Sequence, residues 1–218
     1  MAPYARLEVT LIVLGGGALT AVCAWLAGWW AVLPAVIALA LLSFYRDPPR
    51  ACPVGDDLIL APADGKIVEI THGVAGPDDR QFLRIMIFLS VFNVHINRSP
   101  CAGRVTAVDY RPGEFLNALR ADADVRNESN TLELETAAPL PGPVRVRQIA
   151  GVLARRIVCT ARVGERLTAG QRYGMIKLGS RTEVCLVDDP AWEVRVAVGD
   201  AVKAGRTVLA RRRAVPER

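Results

Sequence analysis

The chain has 218 residues, is 51% hydrophobic, and carries a formal net charge of +5 from 27 Lys and Arg against 22 Asp and Glu. This length is enough for one domain with a sizeable core and an appendage. The mild, dispersed positive charge suits an anionic membrane surface better than nucleic acid, because the sequence has no basic patch interleaved with aromatic residues.

The first predicted elements are helices. Residues 7–44 are almost uniformly apolar. The two halves of this segment, 7–26 and 28–44, are each close to the length of about 20 residues that crosses a bilayer. We therefore predict a membrane-associated helical hairpin over residues 1–46, hinged at Ala27-Gly28.

The flanks of the apolar segment predict its orientation. Arg6 and Arg46 lie at its two ends, which by the positive-inside tendency places both ends, and the domain that follows, on the cytoplasmic side of the cell membrane. Trp29 would mark the far interface. Gly15-Gly16-Gly17 and Pro34 weaken the helices, so a re-entrant or surface-lying hairpin is an alternative. A signal peptide fits less well, since no convincing cleavage site follows.

After Pro48-Pro49, which should end any helix, the composition changes to short β-type runs. Residues 47–218 are predicted to form a mainly β, antiparallel catalytic domain with one helix at 114–122. The predicted strands are 58–60, 65–71, 82–89, 103–111, 131–136, 144–149, 155–161, 172–177, 181–187, 193–198 and 207–210.

An internal repeat gives this domain a more specific fold. Residues 162–170 and 197–205 share the pattern V-G-[DE]-x-[LV]-x-A-G, and glycines at these places supply tight turns between strands. The pattern resembles the turn that recurs in biotinyl and lipoyl barrel-sandwich domains, and residues 61–68 resemble another strand entry of that fold. Two similar hairpins are the alternative interpretation. Either interpretation predicts a compact β barrel.

The cysteines and histidines indicate whether the protein forms disulfides and whether it binds a metal. The scattered, odd set of cysteines has no CxxC pair, which favours reduced thiols in the cytoplasm over a disulfide framework. The cysteines are Cys23, Cys52, Cys101, Cys159 and Cys185. The two histidines, His72 and His95, lack ligand partners at metal-site spacing, so we predict no metal. We also predict no nucleotide cofactor.

Between two predicted strands lies Gly179-Ser180, a flexible residue followed by a hydroxyl. Glycine leaves its own carbonyl, which directly precedes Ser180, open to attack and tolerates strained backbone angles. Attack by the Ser180 hydroxyl would replace the amide with a weaker ester. Elimination would then release residues 1–179 and leave dehydroalanine, which loses ammonia in water to give a pyruvoyl group. For the dipeptide alone, a turn or bulge is the alternative.

Six segments in one order along nearly the whole chain add context. Around the dipeptide the sequence is Gly-Met-Ile-Lys-Leu-Gly-Ser-Arg-Thr-Glu-Val. The others are Phe-Tyr-Arg-Asp-Pro-Pro-Arg (44–50), Ala-Pro-Ala-Asp-Gly-Lys (61–66), Phe-Leu-Ser-Val-Phe-Asn-Val-His-Ile-Asn-Arg-Ser-Pro (88–100), Asn-Glu-Ser-Asn (127–130) and Ala-Arg-Arg-Ile-Val (154–158). Together they resemble the phosphatidylserine decarboxylases, in particular the short bacterial and archaeal form, whose maturation site the first segment resembles.

The resemblance implies a catalytic triad for self-cleavage at Gly179-Ser180. Ser180 would be the nucleophile, His95 the base that takes its proton, and Asp64 the group that holds the imidazole tautomer. Without the resemblance, a lone histidine in an apolar strand is more often a satisfied core residue, and Asp64-Gly65 is more often a turn. The pyruvoyl group derived from Ser180 would then serve as the electron sink for decarboxylation. His95 is the candidate for proton delivery, because the unperturbed pKa of a histidine side chain lies near neutrality.

Other positions follow the resemblance less closely. Some family members carry a second histidine three residues before the catalytic one, where this chain has Phe92, so its role does not carry over. Lys177 lacks the symmetric small-polar turn of a modified lysine and is interpreted as a strand-face residue. An anionic headgroup needs cationic or amide donors. The candidates for binding it are Asn97, Arg98, Asn127, Asn130 and Arg181.

The expected activity is pyruvoyl-dependent decarboxylation of phosphatidylserine to phosphatidylethanolamine and CO2 at an anionic membrane. The fragments 1–179 and 180–218 would stay associated, and a homo-oligomer is compatible with the sequence. Two alternatives remain: a decarboxylase for archaetidylserine or another serine-headed lipid, and a non-enzymatic, membrane-tethered barrel-sandwich adaptor. The adaptor leaves the matches at Asp64, His95 and Ser180 unexplained.

Overall fold

The computed structural model describes residues 1–76, 79–117, 120, 122–152, 156–177 and 180–213. The chain divides into two compact units, Met1–Pro49 and Arg50–Arg218. Helices make up the first unit, and nearly all regular elements in the described part of the second unit are strands.

The N-terminal unit is the predicted helical hairpin. Helix α1 spans Arg6–Ala27, a 3-10 turn covers Gly28–Ala31, and helix α2 spans Val32–Phe44. The helices pack closely where Gly16 meets Ala38, because a Cβ atom on the glycine would lie 2.8 Å from the Ala38 Cβ. The small residues that weaken α1 on its own therefore allow the two helices to approach each other.

The outer surface of this hairpin is apolar. Within Pro3–Phe44 a stretch of 18 residues has a mean hydropathy of 2.0, and by length and composition the segment could cross a membrane. Large side chains such as Leu14, Trp25 and Leu39 are exposed by 66%, 85% and 66%. Water is a poor solvent for such a surface, so the hairpin fits a membrane anchor.

In the described part of the second unit, strands pair antiparallel throughout. The strands are β1 (Leu58–Leu60), β2 (Gly65–Ala75), β3 (Gln81–Leu89), β4 (Ile96–Arg98), β5 (Gly103–Arg111), β6 (Ser129–Glu135), β7 (Val144–Ile149), β8 (Ile157–Cys159), β9 (Arg166–Leu167), β10 (Arg172–Ile176), β11 (Ser180–Val187), β12 (Trp192–Val194), β13 (Ala201–Val202) and β14 (Val208–Arg212). A large sheet has the order β13-β2-β3-β11-β7-β6-β5-β9, and two smaller sheets are β1-β14-β12 and β4-β10-β8. The predicted mainly β, antiparallel fold is confirmed.

Strand β11 lies inside the large sheet, between β3 and β7. Its residues alternate between two faces, as side chains on a strand must. Val184 and Leu186 point toward the main hydrophobic core, and Ser180 and Thr182 lie on the same face of the strand. Arg181 and every second residue after it point to the other face. The apolar pattern at the end of the strand therefore fixes the direction of the serine at its start.

The two repeat segments make matched turns. In the first, the Arg162 backbone N–H donates to the Glu165 carboxylate at 3.1 Å. In the second, the Ala197 N–H donates to Asp200 at 2.8 Å. The acidic residue of the pattern thus closes each turn by accepting a backbone hydrogen bond, which explains why the repeat requires Asp or Glu.

The helix predicted over 114–122 is wrong for the described residues of that range. Glu114 instead forms an isolated bridge with Asn127. A short helix, α3, follows at Ala123–Arg126. The Asn127 side chain accepts from the Leu116 N–H and donates to the Leu116 carbonyl, satisfying backbone groups that a helix would otherwise pair.

Candidate active site

Ser180 is the first residue of β11 and is fully buried. It pairs with Leu89, the last residue of β3. Among the residues that the structure describes, its Oγ atom has no hydrogen-bond partner. Buried hydroxyls are nearly always satisfied, so this atom marks an unusual site. Gly179, the other half of the expected cleavage site, lies outside the described residues.

His95 immediately precedes β4 and is also fully buried. Its Nδ1 atom lies 2.9 Å from the carbonyl oxygen of Asn93. A carbonyl only accepts, so Nδ1 carries the hydrogen in this contact and the neutral ring keeps its lone pair on Nε2. The side chain is therefore held in the tautomer of a general base, as the proposed chemistry of Ser180 requires.

Backbone pairing brings the two segments together. The Ile176 N–H donates to the His95 carbonyl at 3.1 Å, and Ile176 ends β10 four residues before Ser180. On the side-chain level, Asn97 Nδ2 donates to Thr182 Oγ1 at 3.3 Å. These residues lie two positions beyond His95 and Ser180, and alternate residues share a face of a strand. Ser180 and Thr182 therefore face the same buried layer, and Asn97 joins that layer from the strand that follows His95.

That layer extends across the sheet through amide side chains. Gln148 Nε2 donates to Asn97 Oδ1 at 2.9 Å, and Asn130 Nδ2 donates to Gln148 Oε1 at 3.1 Å. Gln148 pairs with Thr182 on one side and with Asn130 on the other. All four side chains of this polar layer, Asn97, Asn130, Gln148 and Thr182, are at most 2% exposed.

Gln148 and Thr182 are not among the site residues that the sequence predicts. A signal for Gln148 exists in β7, where Val144 and Val146 alternate with arginines and Gln148 takes the next inward position. A polar residue on the core face of a strand needs a partner, so the alternation itself points to a buried network. Thr182 carries a weaker signal, since threonine is common in strands.

Gly174 makes room for this layer. A Cβ atom there would lie 3.2 Å from Gln148 Nε2 and 2.2 Å from the Val158 carbonyl oxygen. The second distance is far below any real contact, so only glycine allows β10 to approach both groups.

Asp64 is buried in the connection between β1 and β2. Its carboxylate accepts two hydrogen bonds from the Arg50 guanidinium, the one to Oδ2 at 2.8 Å, and a third from the Ala204 N–H at 2.8 Å. The contact at His95 Nδ1, expected for Asp64, is made by the Asn93 carbonyl. The loop that carries Asp64 contacts β4, the strand that follows His95, because the Arg98 N–H donates to the Pro62 carbonyl at 2.9 Å.

The five residues suggested for headgroup binding occupy different environments. Asn97 and Asn130 belong to the polar layer, whereas Asn127 joins two loops by donating to the carbonyls of Leu116 and Ala150. Arg98 Nη1 donates to the Gly170 carbonyl at 3.1 Å. Among them, the layer places Asn97 and Asn130 on the side of Ser180.

Arg181 points to the opposite face of β11 from Ser180, where it contacts Asp124 and lies 3.0 Å from the Glu183 carboxylate. Burial lowers the pKa of the Arg181 guanidinium, and the charge of Glu183 acts in the opposite direction. These contacts make Arg181 part of a buried charge cluster behind the sheet.

Comparison with known proteins identifies the family of this chain. The family model for phosphatidylserine decarboxylase matches residues 37–210. The chain is 46% identical over 214 residues to a phosphatidylserine decarboxylase proenzyme of Rhodopirellula baltica, covering 96% of this chain and 88% of that protein. Proenzymes of the same name from Cupriavidus metallidurans and Nitrosomonas eutropha are 44% and 45% identical over 185 residues, covering 84% of each chain. The chain belongs to the phosphatidylserine decarboxylase family, a family of carboxy-lyases.

Proposed function

We propose that this chain is a proenzyme that cuts itself between Gly179 and Ser180 and then decarboxylates phosphatidylserine at residue 180. The observation that carries the proposal is the buried Ser180 Oγ, which lacks a hydrogen-bond partner among the described residues. Leaving such a group unsatisfied costs about 1–3 kcal/mol. A reacting hydroxyl accounts for that cost, and the relatives named proenzymes agree with it.

In the proposed cleavage, His95 Nε2 takes the proton from Ser180 Oγ as the oxygen attacks the carbonyl carbon of Gly179. The amide C–N bond breaks, its nitrogen receives the proton, and an ester joins residue 179 to the serine oxygen. Removal of the Cα hydrogen of residue 180 then expels the carboxylate of residue 179. Water adds to the resulting dehydroalanine, ammonia leaves, and a ketone remains at residue 180.

Residue 180 fits a pyruvoyl group because its side-chain position is buried and beside polar groups. Such a group supplies an electron sink when it binds the amine of the substrate. His95 would hold the proton that replaces CO2 on the substrate carbon, and Asn97 would keep the histidine strand in register with β11 through Thr182. The buried layer would limit water at the reacting atoms.

For Asp64 we propose a positioning role within the triad. Its carboxylate is occupied by Arg50 and the Ala204 N–H, and the loop that carries it supports β4 through Pro62 and Arg98. In this arrangement, Asn93 sets the tautomer of His95 and Asp64 fixes the backbone on which the histidine lies.

The anchor and the fragments complete the proposal. The apolar hairpin would hold the enzyme at its lipid substrate with the catalytic unit on the cytoplasmic side, because Arg6 and Arg46 flank it. After cleavage, fragment 180–218 would contribute β11 to the interior of the large sheet, paired with β3 and β7 of fragment 1–179. The two fragments would therefore remain one folded unit.

The test is intact-mass spectrometry of the purified protein together with decarboxylation of phosphatidylserine in vesicles. We expect two fragments, 1–179 and 180–218, the second reacting with a carbonyl-specific hydroxylamine. Ser180→Ala should remain a single chain and release no CO2. Ser43→Ala is the matched control, because the Ser43 hydroxyl donates within its own helix, to the Ala40 carbonyl. Full decarboxylase activity in uncut Ser180→Ala would refute the proposal.

A further inference from the structure

Three loops leave the large sheet at the end where Ser180 lies. Their described residues are 90–95 after β3, 150–152 and 156 after β7, and 177 before β11. The strand register places their bases side by side, because Ser180 pairs with Leu89 and Arg181 pairs with Ile149. The Lys177 N–H also donates to the Arg156 carbonyl at 3.2 Å, which joins two of the loops.

The side chains at this end combine apolar exposure with positive charge. Phe92 is 82% exposed, Val152 is 59% exposed and Val91 is 37% exposed. Arg156 and Lys177 add two cationic side chains. The sequence of the three loops contains no Asp or Glu. Single exposed apolar residues are ordinary on protein surfaces. A group that combines exposed apolar side chains with basic ones, contains no acidic residue and lies beside a buried reactive residue is unusual.

The turn that carries Phe92 is braced. Asn93 Oδ1 accepts from the Ser90 N–H at 2.8 Å and from the Ser90 hydroxyl at 2.9 Å, and the Asn93 N–H donates to the Ser90 carbonyl at 3.0 Å. These bonds fix the backbone on both sides of Val91 and Phe92. The turn thus presents its two apolar side chains outward, three residues before His95.

We propose that this group, Val91, Phe92, Val152, Arg156 and Lys177, is a surface by which the catalytic unit docks directly onto an anionic lipid bilayer. The apolar side chains would enter the acyl-chain boundary, and the two cations would meet lipid phosphates and carboxylates. We call it the docking surface. It rests on the proposed function, since a lipid headgroup must reach buried residue 180 while its acyl chains stay in the bilayer.

The bilayer fits better than a protein partner. The docking surface is small, and the two sequence-adjacent apolar residues at the corner of a braced turn suit shallow insertion better than a broad protein interface. Its charge is of one sign and is complementary to phosphatidylserine, which carries a net negative charge. The hairpin anchors the chain, but the docking surface would orient residue 180 toward the lipid.

The test uses the full self-cleaved chain reconstituted into vesicles that contain phosphatidylserine, beside the same chain in detergent with a short-chain, dispersed phosphatidylserine. Phe92→Asp and Val152→Asp should each lower the vesicle rate by roughly tenfold or more, because each replaces an apolar side chain that enters the bilayer with a charged one. Both should keep the dispersed-substrate rate. Phe92→Trp should keep the wild-type vesicle rate, because a tryptophan side chain also enters the membrane interface.

Val163→Asp is the matched control. Val163 is 66% exposed in the turn before β9. The neighbouring Gly164 N–H donates to the Val105 carbonyl, and β9 pairs with the start of β5, at the end of the sheet away from Ser180. The control should leave both rates unchanged. Arg156→Gln should lower the vesicle rate by roughly fivefold at low salt and less at high salt, as expected for one cation at an anionic surface.

The outcomes separate the two proposals. The docking surface is refuted if Phe92→Asp and Val152→Asp lose no more vesicle activity than Val163→Asp, or lose activity equally on the dispersed substrate. A changed oligomeric state with normal vesicle activity would show a self-contact and also refute it. If one variant fails to mature, the other decides. A wild-type chain that neither cuts itself nor decarboxylates either substrate would instead refute the proposed function.

Discussion

Asn97 donates a hydrogen bond to Thr182 across 3.3 Å, and this contact joins the strand that follows His95 to the strand that begins with Ser180. The two strands belong to different sheets. The relative placement of nucleophile and base therefore depends on a side-chain contact as well as on the β10 backbone.

Replacing Thr182 with valine tests this link. The shape is kept, but Asn97 loses its acceptor, and a buried donor left unsatisfied costs about 1–3 kcal/mol. We expect a lower free energy of unfolding and slower self-cleavage, measured by denaturant titration and by a time course of fragment appearance. Thr182→Ser keeps the hydroxyl and should restore the cleavage rate.

Thr106→Val provides the matched control for this change. The Thr106 hydroxyl bonds to Glu133 at the exposed side of β5, away from the polar layer. It should leave cleavage unchanged. Normal cleavage in Thr182→Val would show that the backbone alone sets the geometry.

The sequence was sufficient to place Ser180 directly before a strand, one residue short of its observed start, and to place His95 in an apolar run, because both depend on local patterns. It was not sufficient to find the polar layer. The contact between Thr182 and Gln148 depends on the register of β11 against β7, which is a long-range property. The Arg50 partner of Asp64 was missed for the same reason, since the two residues are fourteen positions apart in sequence and strand β1 lies between them.

The failure at residues 114–122 has a local cause. Short-range composition favoured a helix there, but the Asn127 side chain satisfies the Leu116 backbone and the bridge from Glu114 to Asn127 holds the chain extended. Tertiary hydrogen bonds thus override a weak helix preference.

Two substitutions distinguish how Asp64 acts. If it positions β4 through its ion pair, Arg50→Gln and Asp64→Asn should slow self-cleavage to a similar extent. Each leaves a buried charge uncompensated, which costs about 3–5 kcal/mol when one partner of a buried pair is removed. Cleavage time courses and unfolding curves of both precursors measure the effect.

Arg211→Gln is the control for these variants. Its ion pair with Asp57 is 2.6 Å long, but the Arg211 side chain is 54% exposed, so its loss should cost at most about 1 kcal/mol. Loss of cleavage in Asp64→Asn with normal cleavage in Arg50→Gln would contradict the positioning role and favour a direct action of Asp64 on His95.

The cysteines should differ in reactivity between folded and unfolded protein. All five are free thiols. Burial raises the pKa of Cys101 to about 12, and burial is also the main cause that raises the pKa of Cys185 to about 12. At pH 8 both thiols are then almost entirely protonated, and only the thiolate reacts.

We therefore expect iodoacetamide at pH 8 to leave Cys101 and Cys185 unmodified in the folded protein and to modify all five cysteines after denaturation. Peptide mass spectrometry reports each site separately. Modification of Cys101 at the same rate in both states would show that the core around it opens readily.

The last prediction concerns the cut enzyme. Fragment 180–218 holds β11 between β3 and β7, with eight paired residues on one side and six on the other. Its Val184 and Leu186 side chains are fully buried in the core. Separating the fragments would expose these side chains, each worth about 1.5–3 kcal/mol, and would leave one edge of β3 and one edge of β7 without a partner strand. We expect both fragments to co-elute in size-exclusion chromatography in mild detergent, at the same volume as uncut Ser180→Ala, and to separate only in denaturant. Elution of fragment 180–218 alone without denaturant would mean that β11 leaves the sheet once the chain is cut.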